Sequence, residues 1–120
     1  MNEERHLEID FNEALVEPGW HPVTIVAAEV RQPRDPAGDE YINIKAKNDK
    51  GRLLYDRLSL HPNSRKRLQR FFACASLPHK GKVTLKVPED MVGKSLRFHV
   101  VHVEDEDGFT EEQITQYKKA

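Results

Sequence analysis

The chain has a single cysteine, a single tryptophan and no apolar run approaching the length of a bilayer span. A lone Cys74 cannot form an internal disulfide or a cysteine-based metal site. Without roughly 20 consecutive apolar residues, no membrane-crossing helix is expected. The opening Met1-Asn2-Glu3-Glu4-Arg5 is polar and acidic, unlike the basic start and apolar stretch of a secretory signal. These absences point to a reducing, cytoplasmic setting with no membrane partner. Internal repeats and low-complexity tracts are missing too. Hydrophobic residues make up 38% of the 120 and charged residues 32%, which fits one compact domain with a heavily charged surface.

The net charge of −1 conceals an asymmetry. Residues 1–18 carry one basic residue against six acidic ones, residues 19–103 carry 16 against 8, and residues 104–120 carry two against six. A basic body therefore sits between two acidic ends. Such a body suits a polyanion, and the ends are placed to compete for the same surface. The plain alternative is a solvated surface with charged tails.

Strand patterns dominate the body. Leu7, Ile9 and Phe11 form an alternating opening, read as a short edge strand or docked arm, before the turn chemistry of Pro18-Gly19. From Gly19 to Arg31 apolar residues fall on both phases, which predicts a long strand buried on both faces where it bends. Two prolines and a glycine make residues 32–39 a loop. Tyr41 to Lys47 alternates, with Ile42, Ile44 and Ala46 on one face and Tyr41, Asn43, Lys45 and Lys47 on the other. Asn48-Asp49-Lys50-Gly51 reads as a hairpin turn. The returning strand puts Leu54, Leu58 and Leu60 inward and Leu53, Tyr55, Arg57 and Ser59 outward.

Next, Asn63 or Ser64 can cap a helix whose stripe is Leu68, Phe71, Phe72 and Ala75. Pro78 stops it. Lys82 to Val87 and Ser95 to Val103 read as two more strands. Thr110-Glu111-Glu112-Gln113 spells a capping box that could open a short terminal helix. The expectation is a mainly β chain: a five-stranded OB-fold barrel with a helix between strands 3 and 4 and acidic terminal extensions. Residues 1–18 would be an acidic arm, 19–103 the OB-fold domain and 104–120 an acidic tail.

Pro18-Gly19-Trp20-His21-Pro22, Asp39-Glu40-Tyr41-Ile42, Gly51-Arg52 with Tyr55-Asp56-Arg57-Leu58, and Val92-Gly93-Lys94-Ser95-Leu96 occur in that order. In this order they resemble a family of small phage-encoded single-stranded DNA-binding proteins found with recombination and replication genes. The resemblance spans residues 18–103 and rests on the order of several weak motifs. It implies an OB-fold, a single-stranded DNA partner and the cytoplasm of a bacterial host. It also implies recruitment of a replication or recombination protein through the acidic run Glu104–Asp107, although the chain departs from that pattern in ending Tyr117-Lys118-Lys119-Ala120. A homodimer is left open.

A single-strand binder needs a positive groove and flat side chains on which bases stack. Tyr41, Lys45, Lys47, Tyr55 and Arg57 supply both on one face of neighbouring strands. Arg34 in the first long loop, Lys94 in the loop before the last strand and Arg97 on that strand are the expected further contacts. Trp20 is read as an anchor at the barrel mouth, Phe71, Phe72 and Phe98 as core, and Arg65-Lys66-Arg67 with Arg70 as a solvated helix face. Phe109 is read as docking the tail or anchoring a partner. Catalysis finds little support, and no cofactor or metal is expected. Gly93-Lys94-Ser95 ends like a phosphate-binding loop, but Pro88 stands where its first glycine belongs. His99 and His102 are three apart on a strand and so cannot share a metal. The competing expectation is a protein-interaction module, a phage adaptor or inhibitor whose basic face takes an acidic protein.

Overall fold

The computed structural model describes residues 4–11 and 15–120. Five strands form one antiparallel sheet: β1 (Gly19–Arg31), β2 (Tyr41–Asn48), β3 (Leu53–Ser59), β4 (Ser95–Glu104) and β5 (Thr110–Lys119). Among the described residues one α-helix, α1 (Arg65–Cys74), lies between β3 and β4. The spatial order is β3-β2-β1-β4-β5. After two hairpins the chain thus returns by a long connection to place β4 beside β1, the Greek-key arrangement. β3 and β5 end the sheet without pairing to one another, so it is not closed into a barrel.

β1 serves two neighbours. Gly19 to Thr24 pair with β4, and Val23 to Arg31 pair with β2. The register slips between Ile25 and Ala27, leaving Val26 as an extra residue. Ile25 is held instead by the chain before β4, its N–H reaching the Lys94 carbonyl at 2.9 Å and its carbonyl the Gly93 N–H at 2.8 Å. This bulge corrects the expectation of burial on both faces. Val23 and Ile25 point inward before it and Ala28 after it, while Val26 is 41% exposed. Apolar residues occupy both phases because the extra residue switches the phase.

The hairpin between β2 and β3 forms as expected from its turn residues. The Asn48 side chain accepts from the N–H groups of Lys50 (3.0 Å) and Arg52 (2.8 Å), and Gly51 sits at φ +78°. α1 buries Leu68 and Phe71, and Ala75 beyond its end is buried too. Phe71 packs edge-on against Tyr117 (5.0 Å between centroids), and Phe98 lies close to both rings. The helix stops at Ser76 in the left-handed region (φ +60°), with Leu77 N–H bonded to the Phe72 carbonyl and Ser76 N–H to the Ala73 carbonyl. That is a Schellman ending with serine where glycine is usual.

Two expected elements are corrected. Lys82 to Val87 is not a strand. Leu85 and Val87 do pack against the core and Val83 is half-buried, but alternation reports which side faces apolar neighbours and not whether another strand is in reach to pair. The fifth strand is instead Thr110–Lys119, where a helix and a tail were expected. Ile114 and Tyr117 are both buried although three apart, a helical spacing. They both face inward because the β4–β5 register slips beside Thr115: Val100 pairs with Ile114 and His99 with Gln116. Of the two readings of the opening segment, edge strand or docked arm, the edge strand is not formed: residues 4–10 carry no regular structure.

At the seam between β3 and β5 a side-chain bridge replaces the missing ladder. Asp56, on the inward phase of β3, accepts from the Tyr117 hydroxyl on β5 and from Arg67 Nη2 on α1 at 3.1 Å. Arg67 Nη2 also donates to the Ile114 carbonyl at 3.2 Å. Burial pushes the Asp56 carboxyl above its ordinary 3.8, although the Tyr117 hydroxyl and the Arg67 charge pull it down. Burial and the Asp56 charge push the Tyr117 phenol well up, so it stays a donor.

Two outcomes are expected. Between pH 3.8 and the raised Asp56 value the folded chain holds a proton that the unfolded chain has released, so stability falls as the pH rises through that window. Asp56→Asn should remove this step from urea midpoints measured from about pH 4 to 7. Ser76→Gly should raise stability by about 1 kcal/mol, read from the urea midpoint at unchanged slope.

Candidate nucleic-acid interface

The outward residues of β2 and β3 meet in register. Lys45 faces Tyr55, Asn43 faces Arg57, and Lys47 faces Leu53. The Arg57 guanidinium lies 4.2 Å from the centre of the Tyr41 ring, and Lys45 Nζ lies 6.0 Å from that of Tyr55. Tyr55 is 61% exposed, and Tyr41 is half-buried. Among the described residues no acidic side chain forms a salt bridge with Lys45, Lys47 or Arg57. The nearby acid on β1, Glu29, is held by Arg31 at 3.1 Å. Five of the eight expected site residues therefore form one surface on which cations and phenol rings alternate. Strand periodicity turns them all outward, and the hairpin puts the two strands in contact.

The other three lie elsewhere. Arg34 is exposed in the loop after β1, a loop that also carries Asp35 and Asp39. Lys94 is half-buried beside the β1 bulge. It precedes β4 and is not between the last two strands, because the strand expected at residues 82–87 does not exist. The loop joining β4 to β5 is instead the acidic run, folded around Asp105, whose carboxylate accepts from the N–H groups of Asp107 (2.9 Å) and Phe109 (2.8 Å). Phe109 is exposed at its end.

Arg97 belongs to a second cluster on the outward side of β1, β4 and β5. It faces Pro22 on one side and Lys118 on the other. Lys118 Nζ sits 4.4 Å from the Trp20 ring centre, and the His99 ring packs edge-on against Trp20 at 4.9 Å. Trp20 is half-buried, as an anchor would be. The sequence reading missed Lys118 because it assigned residues 104–120 to a tail. It read Arg67 as part of a solvated helix face, and Arg67 is exposed there, but the reading missed that it is also bonded into the seam. The signal for that was present: Asp56 is a charged residue on the apolar phase of its strand, and such a residue needs a partner.

Alongside the tyrosine face the seam forms a trough. One stretch of about 390 Å³ is lined by Tyr55, Arg57, Arg67, Glu112 and Gln113, among others. The next, of about 410 Å³, is lined by Leu15, Leu53, Leu54, Tyr55, Glu111 and Ile114, together with Glu112. Tyr55 borders both stretches. Among the described residues no group of three or more His, Cys, Asp or Glu could hold a metal ion. Burial pushes the Cys74 thiol up, and the side chain packs against the core.

The Arg57–Tyr41 contact is open to direct measurement. A double-mutant cycle of Arg57→Ala and Tyr41→Leu, read by urea unfolding, should give a coupling of about 0.5–1 kcal/mol. No family model matches the chain, and a search of curated proteins finds no match either.

Proposed function

We propose that this chain is a sequence-tolerant single-stranded DNA-binding module and not an enzyme, with the outward face of β2 and β3 as its platform. The observation that carries the reading is the pairing of outward-facing cations with phenol rings: Arg57 with Tyr41 and Lys45 with Tyr55. Bases stack on the rings whatever their identity, and the cations follow the phosphates. Lys47 extends the charged path along β2, and Arg34 lies at the end where the loop after β1 leaves the sheet.

An OB-fold is the architecture we assign. Five strands in Greek-key order, a helix between β3 and β4, and two sheet ends bridged by Asp56, Tyr117 and Arg67 all support it. OB-folds bind oligonucleotides on the face of strands 2 and 3, which is where the tyrosines lie. On the resemblance of its motifs to phage single-strand binders, we assign the chain a role in DNA replication or recombination in the cytoplasm of a bacterial host. The acidic loop between β4 and β5, with Phe109 exposed at its end, is the surface we assign to a replication or recombination partner.

The test is titration of fluorescent oligo-dT at several salt concentrations. With four or five phosphates neutralised, the log–log slope for a single strand should be about −3. Each of Tyr41→Ala and Tyr55→Ala should remove about 1–3 kcal/mol of binding while leaving the slope unchanged. No measurable affinity for any oligonucleotide, with an acidic protein retained by the same face, would replace this reading with that of a protein-interaction module.

A further inference from the structure

The apolar side chains of the alternating segment near the N-terminus lie exposed in the copy that carries them. Leu7, Ile9 and Phe11 are 69%, 63% and 81% exposed. Single apolar residues on a surface need no explanation, but three at a spacing of two would share one face if the segment were extended as a strand. The opposite phase is polar: Glu4, His6, Glu8 and Asp10. The root of this arm is held at the sheet. Val16 N–H donates to the Glu112 carboxylate at 3.0 Å, and His102 Nε2 lies 2.6 Å from the Val16 carbonyl oxygen.

The sheet offers a matching place. β3 and β5 are its end strands, so each has one edge without a ladder partner. Between them runs the trough, apolar at Leu53, Leu54 and Ile114. Its two banks differ in charge. β5 contributes Glu111 and Glu112, which repel an acidic strand, whereas β3 carries Arg57 on its outward side. A strand laid on the β3 edge with Leu7, Ile9 and Phe11 turned into the trough sets Glu8 on the outward side. There it lies within one cross-strand spacing, about 4.5–5.5 Å, of outward β3 residues such as Arg57. A slip of one residue would expose the apolar row and bury the acids, so charge and hydrophobicity select the same phase.

Each chain thus carries one apolar-acidic arm and one trough that fits it, and the arm lies outside its own trough. We propose that two copies exchange arms, residues 4–11 of each adding as a strand to the β3 edge of the other. Such an exchange closes with two-fold symmetry. It rests on the sheet edge and the arm; because it engages Arg57 and a trough bordered by Tyr55, the exchanged arm lies beside the proposed platform, and the mass measured without nucleic acid tests it separately.

Sedimentation equilibrium of the full chain over a wide concentration range tests this. The expected result is a mass approaching twice that of one chain. Ile9→Asp should return it to one chain with an unchanged circular dichroism spectrum, because Ile9 supports nothing in its own fold. Arg57→Glu should weaken the dimer at least tenfold, and adding Glu8→Arg should restore it. A single-chain mass at every concentration would overturn the proposal, and so would a dimer undiminished by Ile9→Asp.

Discussion

β1 must hydrogen-bond two different strands, and the extra residue at Val26 is what lets it do so. Before the bulge its partner is β4, and after it the partner is β2. A bulge bends a strand and increases its twist, so the two wings of the sheet turn about one bent centre. That bend encloses Ile25, Ile44, Leu54, Leu58, Phe98 and Val100, all with 2% exposure or less. It also brings the outermost strands toward each other, so that a side chain on β3 reaches one on β5. Without it, the helix would lie on an open sheet and Asp56 would be out of reach of the Tyr117 hydroxyl on β5.

The seam shows how such a sheet ends without a closing ladder. A buried carboxylate is costly unless it is bonded. Asp56 has the Tyr117 hydroxyl, the Arg67 guanidinium and the Arg57 N–H within reach. Even so, burial dominates and its carboxyl titrates above the ordinary value. The bridge thus selects one arrangement of β3, β5 and α1 at some cost in stability. It also leaves an edge and a trough beside the tyrosine face. Aromatic rings, cations and an unpaired strand edge are consequently neighbours, and any ligand of one of them meets the others.

Much of the candidate site was legible in the residues. Tyr41, Lys45, Lys47, Tyr55 and Arg57 were placed together correctly, because strand alternation and an Asn48–Gly51 turn act within a dozen positions. The helix stripe was legible for the same reason. Lys94, Arg97 and Lys118 were not, since their surroundings depend on which distant strand lies alongside. A bulge caused one of the errors: Val26 made a one-sided strand look buried on both sides. The helix expected from Thr110 rested on a capping-box spelling, a local preference that pairing with β4 overrides.

Hydrophobic periodicity and turn chemistry alone determined a mainly β chain, four of its five strands, a helix after the third, and a hairpin with a cationic, aromatic outer face. Those features arise from interactions between residues close in the chain. Only the tertiary structure decided that residues 110–119 are the fifth strand and 82–87 are not, that Arg67 is a seam residue, and that β3 and β5 remain unpaired. These depend on which backbone groups find partners far along the chain. A strand pattern states which side chains seek the core, but a strand exists only where a neighbour's N–H and C=O groups are within reach.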